Sequence, residues 1–304
     1  MGKAGVFHGV PHADVHCHSL TSVPYPVLRE LRPTIPPPPA TFASFEAFNS
    51  YLRTALLPIV TDIEAVRHLT RAAFQRLIDE GVCYTEMSFD LTVPDHIGTT
   101  LDEYCAVIRE ERDRVAQTLT VCVEAGIDRE VDPARSLQLL RQVMRFQLFQ
   151  SIDLYGREDA MPAETFVELY QLAAAHGLKR KAHVGEYGTA QDLQRAVEVL
   201  DLQAVQHGIQ AAQCPEVLDA IRERGVVLNV CPQSNLALGL VSSLREHPIR
   251  RLLDAGITVT VGSDDYAVFG CSVAEQLLDL YAQNVCLESE VIQLIDNGLA
   301  AQFS

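Results

Sequence analysis

Short apolar segments rich in β-branched residues alternate along the chain with longer segments in which apolar positions recur every three or four residues. The short segments predict buried strands and the longer ones predict amphipathic helices, an alternation typical of parallel sheets. The predicted strands cover 13–18, 82–89, 119–124, 149–154, 181–185, 204–207, 226–231 and 258–263. The predicted helices cover 103–117, 134–147, 162–176, 190–200, 215–224 and 246–255. Eight strands in one such series favour an α/β fold, a closed (β/α)8 TIM barrel, over an open sheet.

The first connection, residues 19–80, is much longer than the others. It contains helical patterns over 42–57 and 62–77, so we expect a helical lid insertion after strand one, covering the barrel mouth. The alternative interpretation is a surface elaboration with no part in catalysis. In either case the pattern predicts a single barrel domain over residues 1–304.

The charge balance is acidic, because 24 lysines and arginines stand against 40 aspartates and glutamates, a formal net charge of −16. Phosphate affinity depends mainly on lysine and arginine, so this balance argues against a general nucleic-acid or anionic-membrane binder. No segment has the roughly 18 apolar residues of a membrane span, and residues 1–11 lack the pattern of a secretory signal. The eight cysteines form no CxxC pair. We expect a cytoplasmic protein with reduced thiols.

Histidines and acidic residues stand where four of the predicted strands end. The first strand ends in His16-Cys17-His18, and strand alternation places both histidines on one face, toward the barrel interior. The carboxyl ends of barrel strands meet at one mouth, which is the usual place of catalysis in this fold. The polar residues at these ends are His16 and His18, His183 and Glu186, His207, and Asp264 and Asp265.

Each of these residues has a plainer interpretation when taken alone. A histidine at a strand end is more often hydrogen-bonded than a ligand, and a pair of aspartates is often a helix N-cap. Together, however, neutral imidazoles and a carboxylate are a donor set that zinc accepts, with a position open for water. The set predicts a metal site that generates a nucleophile from bound water. Glu186 suits a proton carrier, and His207 and Asp265 either orient the hydroxide or support the ligands.

The motifs HCH, HVGE, QHG, CPQSN and GSDD, in this order, resemble those of the adenosine deaminase branch of the amidohydrolase superfamily. Members of that family are (β/α)8 barrels in which one zinc ion serves to replace the 6-amino group of a purine by hydroxyl, with release of ammonia. The resemblance covers residues 12–303, is strong over 149–265 and is weak over 21–80. It implies a hydrolase acting on a C–N bond of a cyclic amidine, with one Zn²⁺ per chain and a small purine as substrate.

The resemblance also implies a role for each site residue. The implied zinc ligands are His16, His18, His183 and Asp264. The implied catalytic residues are Glu186, which protonates N1 of the purine, His207, which orients the hydroxide, and Asp265, which activates the water and faces N7. The implied substrate contacts are Asp265, the backbone N–H of Gly156 toward N3, and His18.

Two departures from the family pattern bear on the substrate. Relatives follow the second histidine with Leu-Asp-Gly, where the aspartate reaches a sugar hydroxyl, whereas this chain has Leu20 at the aspartate position and Thr21 at the glycine position. A lost buried polar partner costs about 1–3 kcal/mol, which argues against a simple preference for free adenosine. Arg157 follows Gly156 where relatives commonly have an acidic residue, and it is either a surface charge or a partner for an anionic substituent.

The sequence thus predicts a zinc-dependent hydrolytic deaminase of a 6-aminopurine, with adenosine or a modified adenine nucleoside as substrate. Adenine and aminofutalosine are the alternatives within the same chemistry. A mononuclear amidohydrolase of a non-purine amide or ester, and a binding protein without activity, are the alternatives from other classes. The fourth predicted strand has no lysine at its end that would bridge two metals as a carbamate.

Overall fold

The computed structural model describes residues 9–302. Residues 1–8, which make up most of the stretch examined for a secretory signal, and residues 303–304 lie outside this described part. Strands and helices alternate along the described chain. The strands are β1 (His12–His18), β2 (Val82–Asp90), β3 (Thr120–Asp128), β4 (Ser151–Tyr155), β5 (Lys179–Val184), β6 (Ala204–His207), β7 (Val227–Val230) and β8 (Val259–Val261).

The eight strands form one parallel sheet in which each strand pairs with the next in sequence. The sheet closes where Cys17 of β1 forms a parallel bridge with Asp264, and the Asp264 N–H donates to the His16 carbonyl at 2.8 Å. The strands are buried on both faces, as parallel strands covered by helices must be. The predicted (β/α)8 barrel is confirmed.

Three strands extend beyond their predicted ends, and β4 does so by one residue, to Tyr155. β2 ends at Asp90 rather than at 89, and β3 continues to Asp128 rather than stopping at 124. The predicted β3 stopped at Glu124 because a buried strand seldom contains a charged residue. In the structure Glu124 is fully buried in the barrel and lies 2.7 Å from the Lys181 ammonium, as does Glu86. Asp90 and Asp128 therefore stand at the barrel mouth, although the sequence pattern did not indicate them.

The helices form a layer around the barrel and also build the segment over its mouth. Their apolar faces pack inward, as on α8, where Leu193, Val197 and Leu200 are buried. α9 ends at Gly225, whose φ of +67° lies in the left-handed region that favours glycine. The helices are α1 (Tyr25–Leu31), α2 (Phe45–Tyr51), α3 (Ile63–Asp79), α4 (Val93–Ile97), α5 (Leu101–Val115), α6 (Pro133–Val143), α7 (Val167–Ala175), α8 (Ala190–Leu200), α9 (Pro215–Arg224), α10 (Pro232–Ala237), α11 (Ile249–Asp254), α12 (Tyr266–Phe269), α13 (Val273–Ala282) and α14 (Glu288–Ala300).

The segment between β1 and α3 covers the mouth and is called the lid below. It contains α1, α2 and a π-helix over Leu52–Leu56. Aromatic contacts join α2 to the turn after β5 and to α12: the ring centroids of Phe45 and Tyr187 are 5.0 Å apart, and those of Phe48 and Phe269 are 5.7 Å apart. These contacts fix the lid over the cavity described below.

The predicted lid, residues 19–80, is too long at its C-terminal end. α3 packs against α5 and β2 as a helix of the outer layer, with Phe74 and Leu77 fully buried. An amphipathic helix directly before a barrel strand is the usual partner of that strand, which explains the difference. Among residues 9–302, no helix is both long and apolar enough to cross a membrane.

Candidate active site

The four predicted metal ligands come together at the carboxyl ends of the strands. His16 and His18 lie on β1, His183 lies on β5, and Asp264 lies just beyond β8. Nε2 of His16 is 3.0 Å from Nε2 of His183, and Oδ1 of Asp264 is 3.8 Å from Nε2 of His16 and 3.6 Å from Nε2 of His18. Donor atoms from three histidines and one carboxylate therefore lie close together.

The other ring nitrogen of two of these histidines is already engaged. Nδ1 of His16 donates to the Asn229 carbonyl at 3.1 Å, and Nδ1 of His183 donates to the Asp153 carboxylate at 3.1 Å. Although burial acts in the opposite direction, His183 holds the pKa of Asp153 below its usual range, so Asp153 remains an acceptor. Each Nε2 consequently carries a lone pair, and two lone pairs face each other across 3.0 Å. A cation between them would satisfy both, so the donor set fits a divalent metal.

Two residues of the site adopt backbone conformations that non-glycine residues seldom adopt. Asp264 has φ of +58° and His207 has φ of +63°. The hydrogen bond that closes the barrel, from the Asp264 N–H to His16, holds Asp264 in this conformation. Left-handed conformations outside glycine concentrate at functional sites, because the surrounding structure must compensate their cost of about 1–3 kcal/mol.

Glu186 lies in the turn after β5 and is buried beside the predicted metal ligands. Its Oε1 accepts a hydrogen bond from the Asn235 amide at 3.0 Å and lies 3.4 Å from Nδ1 of His207. Burial, followed by the negative charges of Asp264 and Glu158, raises the pKa of Glu186 well above its ordinary value. The shift favours the protonated carboxyl group, which is the form that a proton donor requires.

A chain of hydrogen bonds orients Asn235 toward Glu186. The Ile249 N–H donates to Nδ1 of His247 at 3.1 Å, which leaves the ring proton on Nε2. Nε2 of His247 then donates to Oδ1 of Asn235 at 3.1 Å, so that the amide group of Asn235 is presented to Glu186. Burial lowers the pKa of His247 to about 4, and the ring is therefore neutral at physiological pH.

Glu158 holds the turn that carries Glu186. Its carboxylate accepts the backbone N–H groups of Gly185, Glu186 and Tyr187 at 2.7, 2.9 and 2.7 Å. Gly185 has φ of +72°, and a Cβ at this position would collide with Leu193. The chain therefore reverses sharply here, and three hydrogen bonds to one carboxylate determine where the Glu186 side chain starts.

His207 and Asp265, the other two predicted catalytic residues, border the same cluster. Nε2 of His207 is 3.9 Å from Oδ2 of Asp264. Burial, and then the nearby His183 ring, lowers the pKa of His207 well below its ordinary value, so this ring is neutral as well. Oδ1 of Asp265 accepts a hydrogen bond from the Thr21 hydroxyl. Thr21, which departs from the family pattern, thus positions a predicted catalytic carboxylate.

A cavity of about 690 Å³ lies over this cluster and under the lid. Leu20 borders it, as does Gly156, whose φ is +95°. A Cβ on Gly156 would lie 2.9 Å from Oδ1 of Asp128, so a larger residue would disturb this wall. Arg157 does not border the cavity but pairs with Asp159 at 2.9 Å on the surface. The predicted metal-binding and catalytic residues that border the cavity are His18, His183, Glu186, His207, Asp264 and Asp265.

Comparison with known proteins decides the family. The model of the adenosine deaminase family matches residues 21–304, almost the whole chain. The chain belongs to the adenosine deaminase family. A Treponema pallidum (strain Nichols) protein, provisionally named an adenosine/adenine deaminase, is 32% identical over 289 residues, which cover 95% of this chain and 97% of the relative. The chain is therefore an enzyme, a hydrolase of C–N bonds in cyclic amidines, and its chemistry is the hydrolytic deamination of a purine-type small molecule.

Two solved structures have the same fold as this adenosine deaminase family member. The adenine deaminase of Arthrobacter aurescens superposes with a TM-score of 0.88 at 26% identity, over 97% of this chain and 94% of that one. An amidohydrolase from Burkholderia ambifaria, solved with bound zinc, superposes with a TM-score of 0.87 at 22% identity, over 99% and 88% of the two chains. The second likeness is one of fold.

The structure adds four residues to the site that the sequence analysis did not assign. Two of them had a signal, because Asn235 lies in the CPQSN motif and Glu158 lies just after Gly156. Asp153 lies three residues before Gly156, but its hydrogen bond to His183 depends on the pairing of β4 with β5. His247 lies in no motif, and only the fold brings it to Asn235.

Proposed function

We propose that this adenosine deaminase family member hydrolyses the 6-amino group of adenine or of an adenine nucleoside, with one zinc ion at its histidine–aspartate cluster. The observation that carries the proposal is the buried Glu186, which borders the same cavity as His18, His183 and Asp264. A proton donor beside a divalent-metal donor set is what the hydrolysis of an amidine needs, because the ring nitrogen must be protonated as water attacks carbon.

His16, His18, His183 and Asp264 would hold the zinc ion. Three imidazoles and one carboxylate are ligands that zinc accepts, and a water bound to the ion would be a fifth ligand. When bound, zinc would lower the pKa of that water and so supply a nucleophile near neutral pH. Zinc is also the ion present in the Burkholderia ambifaria structure.

Glu186 donates its proton to the purine ring nitrogen next to the reacting carbon, which makes C6 more electrophilic. Asn235 holds the Glu186 carboxyl from one side, and Glu158 holds the turn beneath it. Both contacts reduce the reorganisation that the proton transfer would otherwise require. Glu186 is therefore the residue whose loss should affect turnover most.

Asp265 accepts a proton from the attacking water, and the neutral His207 stabilises the charge that develops on its oxygen. The Gly156 N–H donates to N3, the other nitrogen of the six-membered ring. Asp265 then passes its proton to the amino group, the C6–N bond breaks and ammonia leaves. Glu186 regains a proton from the C6 hydroxyl, so that in total one water is consumed and the 6-oxopurine remains.

Adenine and its nucleosides are the substrates that the cavity and the relatives together favour. The Treponema pallidum relative is named for both adenosine and adenine, and the Arthrobacter aurescens structure is named an adenine deaminase. Leu20 borders the cavity where the family aspartate would contact a sugar, so any sugar must be bound by other residues.

The test is a deamination assay on protein whose metal content is measured. Ammonia release and the ultraviolet change from adenine to hypoxanthine are followed with adenine, adenosine, 2′-deoxyadenosine and aminofutalosine. We expect turnover of adenine or an adenine nucleoside, and a loss of at least about 1,000-fold in Glu186→Gln with zinc content retained. Glu168→Gln, on an exposed carboxylate of α7, is the matched control. Full activity of Glu186→Gln, or silence of the zinc-loaded enzyme on all four compounds, would contradict the proposal.

A further inference from the structure

Two segments at the barrel mouth lie side by side, one after β1 and the other after β8. The first contains Thr21, and the second contains Asp264 and Asp265. The Ala267 N–H donates to the Thr21 carbonyl at 2.7 Å, and the Thr21 hydroxyl donates to Oδ1 of Asp265. Within residues 9–302 this is the one hydrogen bond that the Asp265 carboxylate makes. The orientation of Asp265 therefore depends on how the two segments are held together.

Arg76 joins these two segments from the outer layer of helices. It lies on α3, and 5% of its surface is exposed. Its Nε donates to the Ser22 carbonyl in the segment after β1, at 3.1 Å, and a terminal nitrogen donates to the Ser263 hydroxyl in the segment after β8, at 3.4 Å. The guanidinium carbon also lies 4.4 Å from the ring centroid of Tyr266. Because a guanidinium is planar and rigid, these contacts fix the distance between the segments.

Asp14, which is fully buried on β1, completes this set of contacts. Its Oδ1 accepts the Ser263 N–H at 3.0 Å, and its Oδ2 accepts the Ser263 hydroxyl and lies 3.7 Å from the Arg76 guanidinium. Glu80 accepts another guanidinium N–H at 2.8 Å, so the buried cation is compensated. A buried ion pair often stabilises no more than apolar side chains of similar volume, and its distinctive contribution here is the direction of its hydrogen bonds. Ser263, which immediately precedes Asp264, is thus held by its backbone and by its side chain.

Arg76 takes no direct part in the proposed chemistry. It does not border the cavity, so it acts only through the residues that it holds. Ser22 lies near the start of the lid and Arg76 lies on the helix that follows the lid, so the same guanidinium also joins the two ends of the lid. Asp264 has a separate support, because its N–H donates to the His16 carbonyl at 2.8 Å. Loss of the Arg76 contacts should therefore affect Asp265 more than Asp264.

We propose that Arg76 is a positioning residue of this enzyme: together with Asp14 it holds the segment after β8 against the segment after β1, and so keeps the Asp265 carboxylate in place. This inference rests on the proposed deamination of 6-aminopurines, in which Asp265 accepts a proton from the attacking water. An arginine of the outer helical layer thus influences the rate of a step at the barrel mouth.

The test is a double-mutant cycle on kcat, measured with the 6-aminopurine that the zinc-loaded wild type turns over best. Thr21→Val removes the hydroxyl that binds Asp265 but keeps the backbone carbonyl that accepts from Ala267. Arg76→Lys keeps a cation beside Asp14 but loses the planar fork of the guanidinium. Each kcat is expressed per folded, zinc-loaded chain, so that impaired folding does not count as a loss of rate.

We expect kcat to fall about tenfold in Thr21→Val and about fivefold in Arg76→Lys. The double variant should lose only about tenfold, because both residues hold the same carboxylate, whereas independent effects would multiply to about fiftyfold. KM should stay within about threefold of the wild type, because the affected group acts in the transition state. Ser263→Ala removes one Arg76 contact without changing a buried charge, and it should lower kcat about threefold.

Arg71→Lys is the matched control. Arg71 lies on the same helix, is half exposed and pairs with Glu111 of α5 at 2.7 Å, so kcat should stay within about twofold of the wild type. Wild-type kcat in either Arg76→Lys or Ser263→Ala, losses that multiply in the cycle, or a loss of rate in proportion to a loss of zinc would overturn the positioning role. A zinc-loaded wild type that turns over no 6-aminopurine would instead overturn the proposed deamination itself.

Discussion

Replacing Glu158 should impair catalysis without emptying the metal site. The Glu158 carboxylate accepts three backbone N–H groups from the turn that carries Glu186. Because Glu158 is half-buried, each bond contributes about 1 kcal/mol rather than the larger value of a fully buried charged pair. Glu158→Ala therefore weakens the turn by about 3 kcal/mol, which corresponds to about 100-fold in the population of its productive conformation. Glu158→Gln retains one acceptor oxygen for the N–H groups of the turn, and its kcat should fall only about fivefold.

The assay measures kcat, KM and zinc content with the 6-aminopurine that the wild type turns over best. We expect the loss in kcat, because Glu186 acts in the transition state, and zinc content should remain near that of the wild type. The alkaline limb of the pH profile should also move to lower pH. Glu158 helps to raise the pKa of Glu186, activity needs the protonated form, and removal of this negative charge lets the proton leave earlier.

Asp159→Asn is the matched control for Glu158, because Asp159 is the next residue and lies exposed beside Arg157. It should leave kcat and the pH profile within about twofold of the wild type. Wild-type kcat/KM in Glu158→Ala would refute the positioning role. A loss of activity in proportion to a loss of zinc would also refute it, since the turn would then affect only the metal site, through His183.

Three further predictions concern stability and metal binding. Lys181→Met removes the cation between the buried Glu86 and Glu124, and urea unfolding should show a loss of about 3–5 kcal/mol; a loss below about 1 kcal/mol would contradict the assigned ion pairs. Asp264→Ala should lower zinc content measured by mass spectrometry, whereas Asp265→Asn should lower kcat with zinc retained; equal zinc loss in both would remove the division of roles. His247 has a pKa of about 4 in the folded protein against 6.5 as its ordinary value, so the unfolded state binds its proton more tightly and stability falls as pH drops from 7 to 5, by about 2 kcal/mol from this residue. In His247→Gln the free energy of unfolding, measured by urea titration, should depend less on pH between 5 and 7. The same pH dependence as in the wild type would refute the buried neutral ring.

The predictable part of the site consists of residues that end strands. Once the alternation of strands and helices indicated a barrel, His16, His183 and Asp264 had to converge, because the carboxyl ends of parallel strands meet at one mouth. The predicted ends of strands are wrong where a charged residue interrupts the apolar run. The pattern ends β3 at Glu124 and so does not indicate Asp128, which ends this strand in the structure.

The predicted C-terminal boundary of the lid differs from the structure for a related reason. Its helices and α3 have similar amphipathic patterns, and periodicity alone does not tell whether an apolar face packs on the barrel wall or over the mouth. The packing of α3 against α5 places it in the outer layer.

The sequence by itself determined the fold class, the family and the order of the site residues, because these depend on local periodicity and on motifs within single strands. Only the tertiary structure decided which groups orient the predicted catalytic residues. The hydrogen bonds from His247 to Asn235 and from His183 to Asp153 join separate segments of the chain. They form only because the donor and acceptor atoms lie about 3 Å apart, a distance that no sequence pattern specifies.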